Sequence, residues 1–365
     1  MTLRGAPHES NRPPLFLVVP GPIDQRTGGY LYDARLVHEL REAGWTVRVI
    51  ELPGAYPEPD ATTRQRADER FAALPDDTLV MTDALAGSAL PELMRSEARR
   101  LRLVALVHHP LALETGLDAE QASRLASAER QALAAARQVI CTSGSTATAL
   151  ADYDVPAERI TVAEPGTDAA ELAGGSAVGD PFRLLCVATI TPRKGHAVLI
   201  DALVALRTRH PSLPWRLELV GSLERSAPTV HALRAALAEH DLQGLVTLHG
   251  ETSESALADH YERADAFVLA SFHEGYGMVL TEALARGLPI VATRGGAIAD
   301  TVPPDAGLLV EPGDSLALSM ALETLLCDVE QRLRLRRGAV AARARLASWR
   351  DTADRITSVL DGVCR

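Results

Sequence analysis

Apolar positions in this chain fall into short runs of strand length separated by longer stretches of helical spacing, and the alternation occurs twice. The first run, Leu15-Phe16-Leu17-Val18-Val19, contains no polar residue, as in a strand buried on both faces. Pro20-Gly21-Pro22 and Gly28-Gly29 then mark a turn, residues 30–43 have helical spacing and residues 46–50 form a second apolar run, which together make a βαβ unit. Further strands are predicted at 78–81, 103–107 and 139–142, with helices between them. Near Ile160-Thr161-Val162 the pattern changes, and residues 166–180, rich in Ala, Gly and Asp, read as a linker. A second series begins at Phe182-Arg183-Leu184-Leu185-Cys186-Val187 and continues at 217–220, 246–248, 266–271 and 290–293. The pattern predicts an α/β chain with two Rossmann-like, doubly wound domains, 15–165 and 181–345, after a polar tail over 1–14. A closing segment, 346–365, carries a helix around 349–360 that is predicted to cross back and brace the first domain.

Composition narrows the function classes. At 365 residues the chain is long enough for two domains with separate cores, and 47% hydrophobic with 4% aromatic residues suits helices packed on buried sheets. A net charge of −11 argues against nucleic acid as a partner, because such binding rests on clustered Lys and Arg. Cys141, Cys186, Cys327 and Cys364 have no CxxC or metal-ligand spacing and read as reduced, mostly buried thiols of a cytoplasmic protein. No leader-like run and no apolar stretch near 18 residues is present, so neither secretion by that route nor a membrane span is expected. Three arginine-rich stretches, Arg64/Arg66/Arg70, Arg95/Arg99/Arg100/Arg102 and 332–345, read as solvated helix faces, with peripheral membrane contact the less favoured reading of the first two. Oligomeric state is left open.

The densest chemistry lies in Phe272-His273-Glu274-Gly275-Tyr276-Gly277-Met278-Val279-Leu280-Thr281-Glu282-Ala283. An apolar run precedes it, and a helix from Met278 follows until Gly287-Leu288-Pro289 stops it. The loop therefore sits at the carboxyl end of a parallel strand, where open α/β sheets bind ligands and where free N–H groups of a helix start favour phosphate. Gly275 and Gly277 permit close backbone approach, with Tyr276 and Met278 beside them. Glu282, read as two turns into the helix, reaches back under the loop while Glu274 hangs above it, so that two carboxylates face one pocket. The competing reading makes both of them helix charges in solvent.

A second anion site is predicted at Thr189-Ile190-Thr191-Pro192-Arg193-Lys194-Gly195-His196. Two cations at a helix start oppose the helix dipole, and a bound anion would satisfy both; two solvated cations are the competing reading. Leu219-Val220-Gly221-Ser222 ends another strand on the same side. In the first half, Leu106-Val107-His108-His109-Pro110 puts two imidazoles at a strand end.

These motifs, with Ser143, Pro165-Gly166-Thr167-Asp168 and Ala264-Asp265-Ala266, resemble the retaining glycosyltransferases of family four over nearly the whole chain from about Leu15. The resemblance implies a GT-B fold, in which two Rossmann-like lobes face each other across a cleft, and transfer of a sugar from a UDP- or GDP-linked donor to the hydroxyl of a small-molecule, lipid or glycan acceptor. It implies Glu282 on the ribose, Glu274 on the sugar hydroxyls, Lys194 on the leaving diphosphate, and Gly28-Gly29 in the glycine loop near the phosphates. His108 would contact the donor sugar and His109 would face the acceptor. No metal and no cofactor are implied. The chain departs from the family where Gly-Arg usually ends the first strand of the second lobe: Ala188-Thr189 stands there, and Arg193 is the candidate replacement. A nucleotide-sugar-binding protein with little or no transfer activity is the alternative.

Overall fold

The structure, a computed structural model, describes residues 12–365; residues 1–11 of the predicted tail lie outside the described residues. The chain divides into two compact units. The first comprises the chain up to Leu113, then Leu117–Gly166 and Ser348–Arg365, and the second Glu114–Gly116 and Thr167–Ala347.

The first unit runs β1 (Leu15–Pro20), α1 (Gly28–Glu42), β2 (Val47–Leu52), α2 (Ala61–Ala72), β3 (Leu79–Asp83), α3 (Ala84–Gly87), α4 (Pro91–Glu97), β4 (Arg102–Val107), α5 (Ala119–Ala135), β5 (Gln138–Cys141), α6 (Gly144–Ala149) and β6 (Ile160–Val162). Its six strands are parallel in the order β2-β1-β3-β4-β5-β6. Leu79, Val80, Met81, Val104, Leu106 and Val107 have no exposed surface, which explains why these strands read as unbroken apolar runs. The order in which strands are added reverses between β1 and β3, so the crevice outside their carboxyl ends is the ligand position of this sheet. Helix starts are fixed locally: Asp60 and Ser143 cap α2 and α6, and Asp118 with Gln121 forms a capping box on α5.

The second unit runs β7 (Phe182–Val187), α7 (His196–Arg209), β8 (Trp215–Val220), α8 (Ala227–Glu239), β9 (Val246–Gly250), α9 (Glu254–Arg263), β10 (Ala266–Leu269), α10 (Met278–Ala285), β11 (Ile290–Thr293), α11 (Ile298–Thr301), β12 (Gly307–Val310), α12 (Ser315–Cys327) and α13 (Val329–Ala342). Its parallel order, β12-β11-β10-β7-β8-β9, places the switch point between β7 and β10. The core gathers Leu184, Leu203, Trp215, Phe267, Val268, Leu284 and Leu322 between the sheet and its helices.

The last helix, α14 (Trp349–Cys364), starts on a capping box between Ser348 and Asp351 and belongs to the first unit. Trp349, Thr352, Ala353, Ile356, Leu360 and Val363 form its buried stripe. Arg102 Nη1 donates to Cys364 O at 2.7 Å and Trp45 Nε1 to Thr357 Oγ1 at 3.1 Å.

Three expectations are corrected. The pattern change at Ile160-Thr161-Val162 is a short strand, β6, and the apolar pattern does not predict β12; both are edge strands. Cys327 is exposed rather than buried. Several arginines read as solvated are structural: Arg100 donates to Leu74 O and Phe71 O at the end of α2, Arg332 to Leu325 O and Leu326 O at the end of α12, and Arg336 to Ala173 O in the segment before β7. Among the described residues no helix is long and apolar enough to cross a membrane.

Candidate functional site

At the switch point of the second unit, the loops after β7 and β10 are locked together. Gly195 adopts a left-handed conformation (φ +64°), and a Cβ there would lie 2.1 Å from the Ala270 carbonyl oxygen. Only glycine lets α7 begin that close to the end of β10. Phe272 N donates to Arg193 O at 2.8 Å, tying the same loops by their backbones. A Cβ at Gly221 would meet Ala188 O at 2.1 Å, so the close approach of the β7 and β8 ends explains that glycine. A Cβ at Gly295 would meet Phe272 O at 2.3 Å, which places this glycine against the loop backbone.

This frame brings Arg193, Lys194 and Glu274 together. Lys194 Nζ lies 2.6 Å from Glu274 Oε1, Ser271 Oγ donates to the same oxygen at 2.6 Å, and Arg193 Nη1 lies 3.3 Å from Oε2. Arg193 Nη1 also donates to His273 O at 2.6 Å, and its Nε lies 3.2 Å from Glu114 Oε1. The side chains of Arg193 and Lys194 are only 18% and 15% exposed and Glu274 is 6% exposed, which removes the solvated readings of all three. Within the chain, Glu274 is the anion that pairs with both cations. Burial raises the Glu274 carboxyl, but Lys194 and then Arg193 more than reverse this and hold it at about 2. The same burial lowers the Lys194 ammonium, against the pull of Glu274.

Gly277, also left-handed (φ +87°), starts α10. Glu282 stands one turn into that helix rather than two, and the structure does not bring it into the Glu274 cluster. Tyr261 Oη donates to Glu282 Oε2 at 2.9 Å, and Arg286 stacks over the Tyr261 ring at 4.3 Å. Burial raises the Glu282 carboxyl. Thr189 is half-buried between β7 and the 3-10 turn Pro192–Lys194; Gly275 and Tyr276 lie in the loop before α10, and Met278 is the first residue of that helix.

In the first unit, α1 and the carboxyl ends of β3 and β4 meet at His108. Its Nε2 lies 3.1 Å from Asp33 Oδ1 and 3.7 Å from Asp83 Oδ2, and both aspartates are buried. Gly29 presses on the ring, since a Cβ there would lie 3.2 Å from His108 Cδ2, while Gly28 opens α1 beside it with free space. The Tyr32 ring meets His108 edge-on at 5.2 Å. Burial lowers the imidazolium, and the Asp33 charge, its hydrogen bond and Asp83 outweigh that and raise His108 to about 8. Burial and Asp33 push Asp83 up to about 7. The three side chains have the composition of a cation site, and their convergence is equally explained by the ion pair they form. His109 is half-buried next along the loop. Glu129 on α5, fully buried and raised to about 7 by burial, accepts from Leu111 N at 3.0 Å and so fixes the loop's exit.

Sequence reasoning missed Asp33, Asp83, Glu129, Tyr261 and His196. The last is 3% exposed, neither ring nitrogen has a hydrogen-bond partner, and burial beside Lys194 lowers it to about 4. The available signal was positional for Asp83 alone, a carboxylate at the end of a predicted strand.

Comparison with known proteins matches two family models. One, described as Glycosyl transferases group 1, covers residues 181–328, and one described as Glycosyltransferase Family 4 covers 80–171. Among curated proteins, the D-inositol 3-phosphate glycosyltransferase of Pseudarthrobacter chlorophenolicus is 33% identical over 67% of this chain and 60% of its own length. That of Corynebacterium glutamicum is 32% identical over 57% and 52%. The chain thus spans between about half and two thirds of the curated relatives it matches. Among solved structures, the sucrose-phosphate synthase of Thermosynechococcus elongatus aligns with a TM-score of 0.81 at 24% identity, covering 96% of this chain and 99% of that one. Anabaena HepE in complex with UDP and glucose aligns at 0.75 and 19%, covering 96% and 100%. These likenesses establish the GT-B fold.

Proposed function

This chain belongs to the glycosyltransferases of family four, and from that premise we propose that it transfers a sugar from a nucleoside-diphosphate donor, bound in the second unit, to an acceptor hydroxyl. The observation that carries the reading is the buried cluster of Arg193, Lys194 and Glu274 at the β7–β10 switch point. In this cluster Arg193 and Lys194 are paired with Glu274, and Arg193 also with Glu114, and the donor phosphates would take over both cations from these carboxylates. Glu274 then accepts from the sugar hydroxyls, and Glu282, with one oxygen held by Tyr261, accepts from the ribose. The backbone at Gly277 and Met278 offers the start of α10 to the phosphates. Arg193 supplies the bidentate contact that an arginine at the Thr189 position makes in relatives.

In the reaction the bond from the anomeric carbon to the phosphate oxygen breaks, the acceptor oxygen bonds to that carbon on the same face, and the acceptor's proton passes to the leaving diphosphate. Configuration is retained. The cations stabilise the charge that develops on the diphosphate, which is the largest contribution open to this site. The reading requires no metal. We assign acceptor recognition to the first unit, with His109 at the end of β4 facing the acceptor. HepE is described with UDP and UDP-glucose, which makes uridine the first base to test. The curated relatives' name makes a phosphorylated cyclitol the first acceptor.

The test is thermal stability of the full chain against UDP, GDP, ADP, dTDP and their sugars, beside Lys194→Ala and Glu282→Ala, followed by assay of nucleotide release with acceptors. A melting-point rise with one nucleotide, lost in both variants, is the expected result. No shift with any nucleotide at millimolar concentration rejects the donor site. Binding without nucleotide release across the acceptor panel would favour the non-transferring alternative, which Thr189 keeps open.

A further inference from the structure

One group of ligating side chains in the second unit takes no part in the chemistry above. Glu218 on β8, His249 on β9 and His260 on α9 converge at the edge of the sheet, with ligand atoms all within 4.8 Å of one another. The register of β8 against β9 slips after Leu219↔Leu248, because Val220 pairs with Gly250, so His249 is the unpaired residue of a bulge. Bulges re-aim side chains, and this one holds the His249 ring 4.3 Å from that of His260. His260 Nδ1 hydrogen-bonds Glu218 Oε2. That bond explains His260 and Glu218, but His249 Nε2 stands 3.8 Å from the same oxygen, beyond a hydrogen bond.

We propose that Glu218, His249 and His260 bind a divalent transition-metal ion of the zinc class, clipping the edge strand β9 to β8 and α9. Two imidazoles and one carboxylate are a three-ligand set for zinc, and a tetrahedral ion would separate its ligand atoms by about 3.4 Å. The His249 to Glu218 distance is already close to this, and His260 moves away from Glu218 as the ion replaces the shared proton. The side chains are 28% exposed at His249, 19% at Glu218 and 8% at His260, so a fourth, solvent-facing position is available. Arg183 Nη1 lies 3.9 Å from the other Glu218 oxygen and leaves Oε2 to the ion.

The full chain, dialysed against a chelator, is titrated with Zn2+ by calorimetry and with Co2+ by visible absorption. Wild type takes up one equivalent, with Co2+ bands of a four-coordinate site. His249→Ala weakens binding about tenfold or more, with unchanged circular dichroism because the Glu218–His260 bond remains. His108→Ala, which removes the first unit's own acid–histidine cluster, leaves the equivalent in place. Absence of uptake by wild type, uptake that survives His249→Ala, or uptake lost in His108→Ala overturns the proposal.

Discussion

Glu274 carries a full charge with 6% of its surface exposed, and two cations and a hydroxyl hold it there. Removing one partner of such a pair costs about 3–5 kcal/mol because the remaining charge is stranded. Lys194→Met is therefore expected to lower the melting point, and Glu274→Gln added to it to restore part of the loss. A double-mutant cycle by denaturant unfolding measures this, and additive effects would show that the pair is not coupled. The pH dependence follows from the same contact. The folded carboxyl sits at about 2 against an ordinary 4.5, so its contribution is complete above about 4.5 and is lost as pH falls toward 2. His108 runs the other way: raised to about 8, it contributes below 6.5 and loses that contribution as pH rises through 8. Because Asp33 opposes the effect of burial, Asp33→Asn is expected to drop the His108 imidazole below 6.5 in an NMR titration. An unchanged value would mean that Asp33 is not the group that holds the proton.

At the scale of elements, the two loops at the second switch point are held by glycines as much as by side chains. Gly195→Ala places a Cβ against Ala270 O and forces a left-handed residue, so unfolding should shift by several kcal/mol, and nucleotide binding should fall with it. If the variant melts like wild type, the loops are not locked in this way. Most of the strands were legible because parallel strands buried on both faces leave continuous apolar runs, as at Leu103-Val104-Ala105-Leu106-Val107. The edge strands β6 and β12 were not, because three or four half-buried residues carry no period. Individual residues of the site, Glu274, Arg193 and Lys194, were legible from loop position and chemistry. Their pairing was not, since it joins residues 80 positions apart through a sheet order that no local pattern encodes. The same reason hid Asp33 and Asp83, which meet His108 from α1 and from the end of β3.

At the scale of the molecule, the division of the chain separates the chemistry as well as the contacts. Thr189, Arg193, Lys194, Gly221, the loop Glu274 to Met278, Glu282 and Tyr261 all lie within Thr167–Ala347, and the cluster around Leu184, Trp215 and Phe267 gives that stretch its own core. The first unit needs the chain's last segment, because α14 contributes Trp349, Ile356 and Leu360 to it and closes carbonyl and hydroxyl partners on Arg102 and Trp45. Trp349→Ala should therefore cost about 3–5 kcal/mol in the first unit alone. Calorimetry of that variant is expected to move one transition down and leave the other in place, and the unmoved transition should be the one that UDP raises by mass action. Lys194→Met should abolish the UDP response without moving the transition that Trp349→Ala lowers. If Trp349→Ala instead lowers a single shared transition, the two units unfold as one, and the donor site draws its stability from both of them.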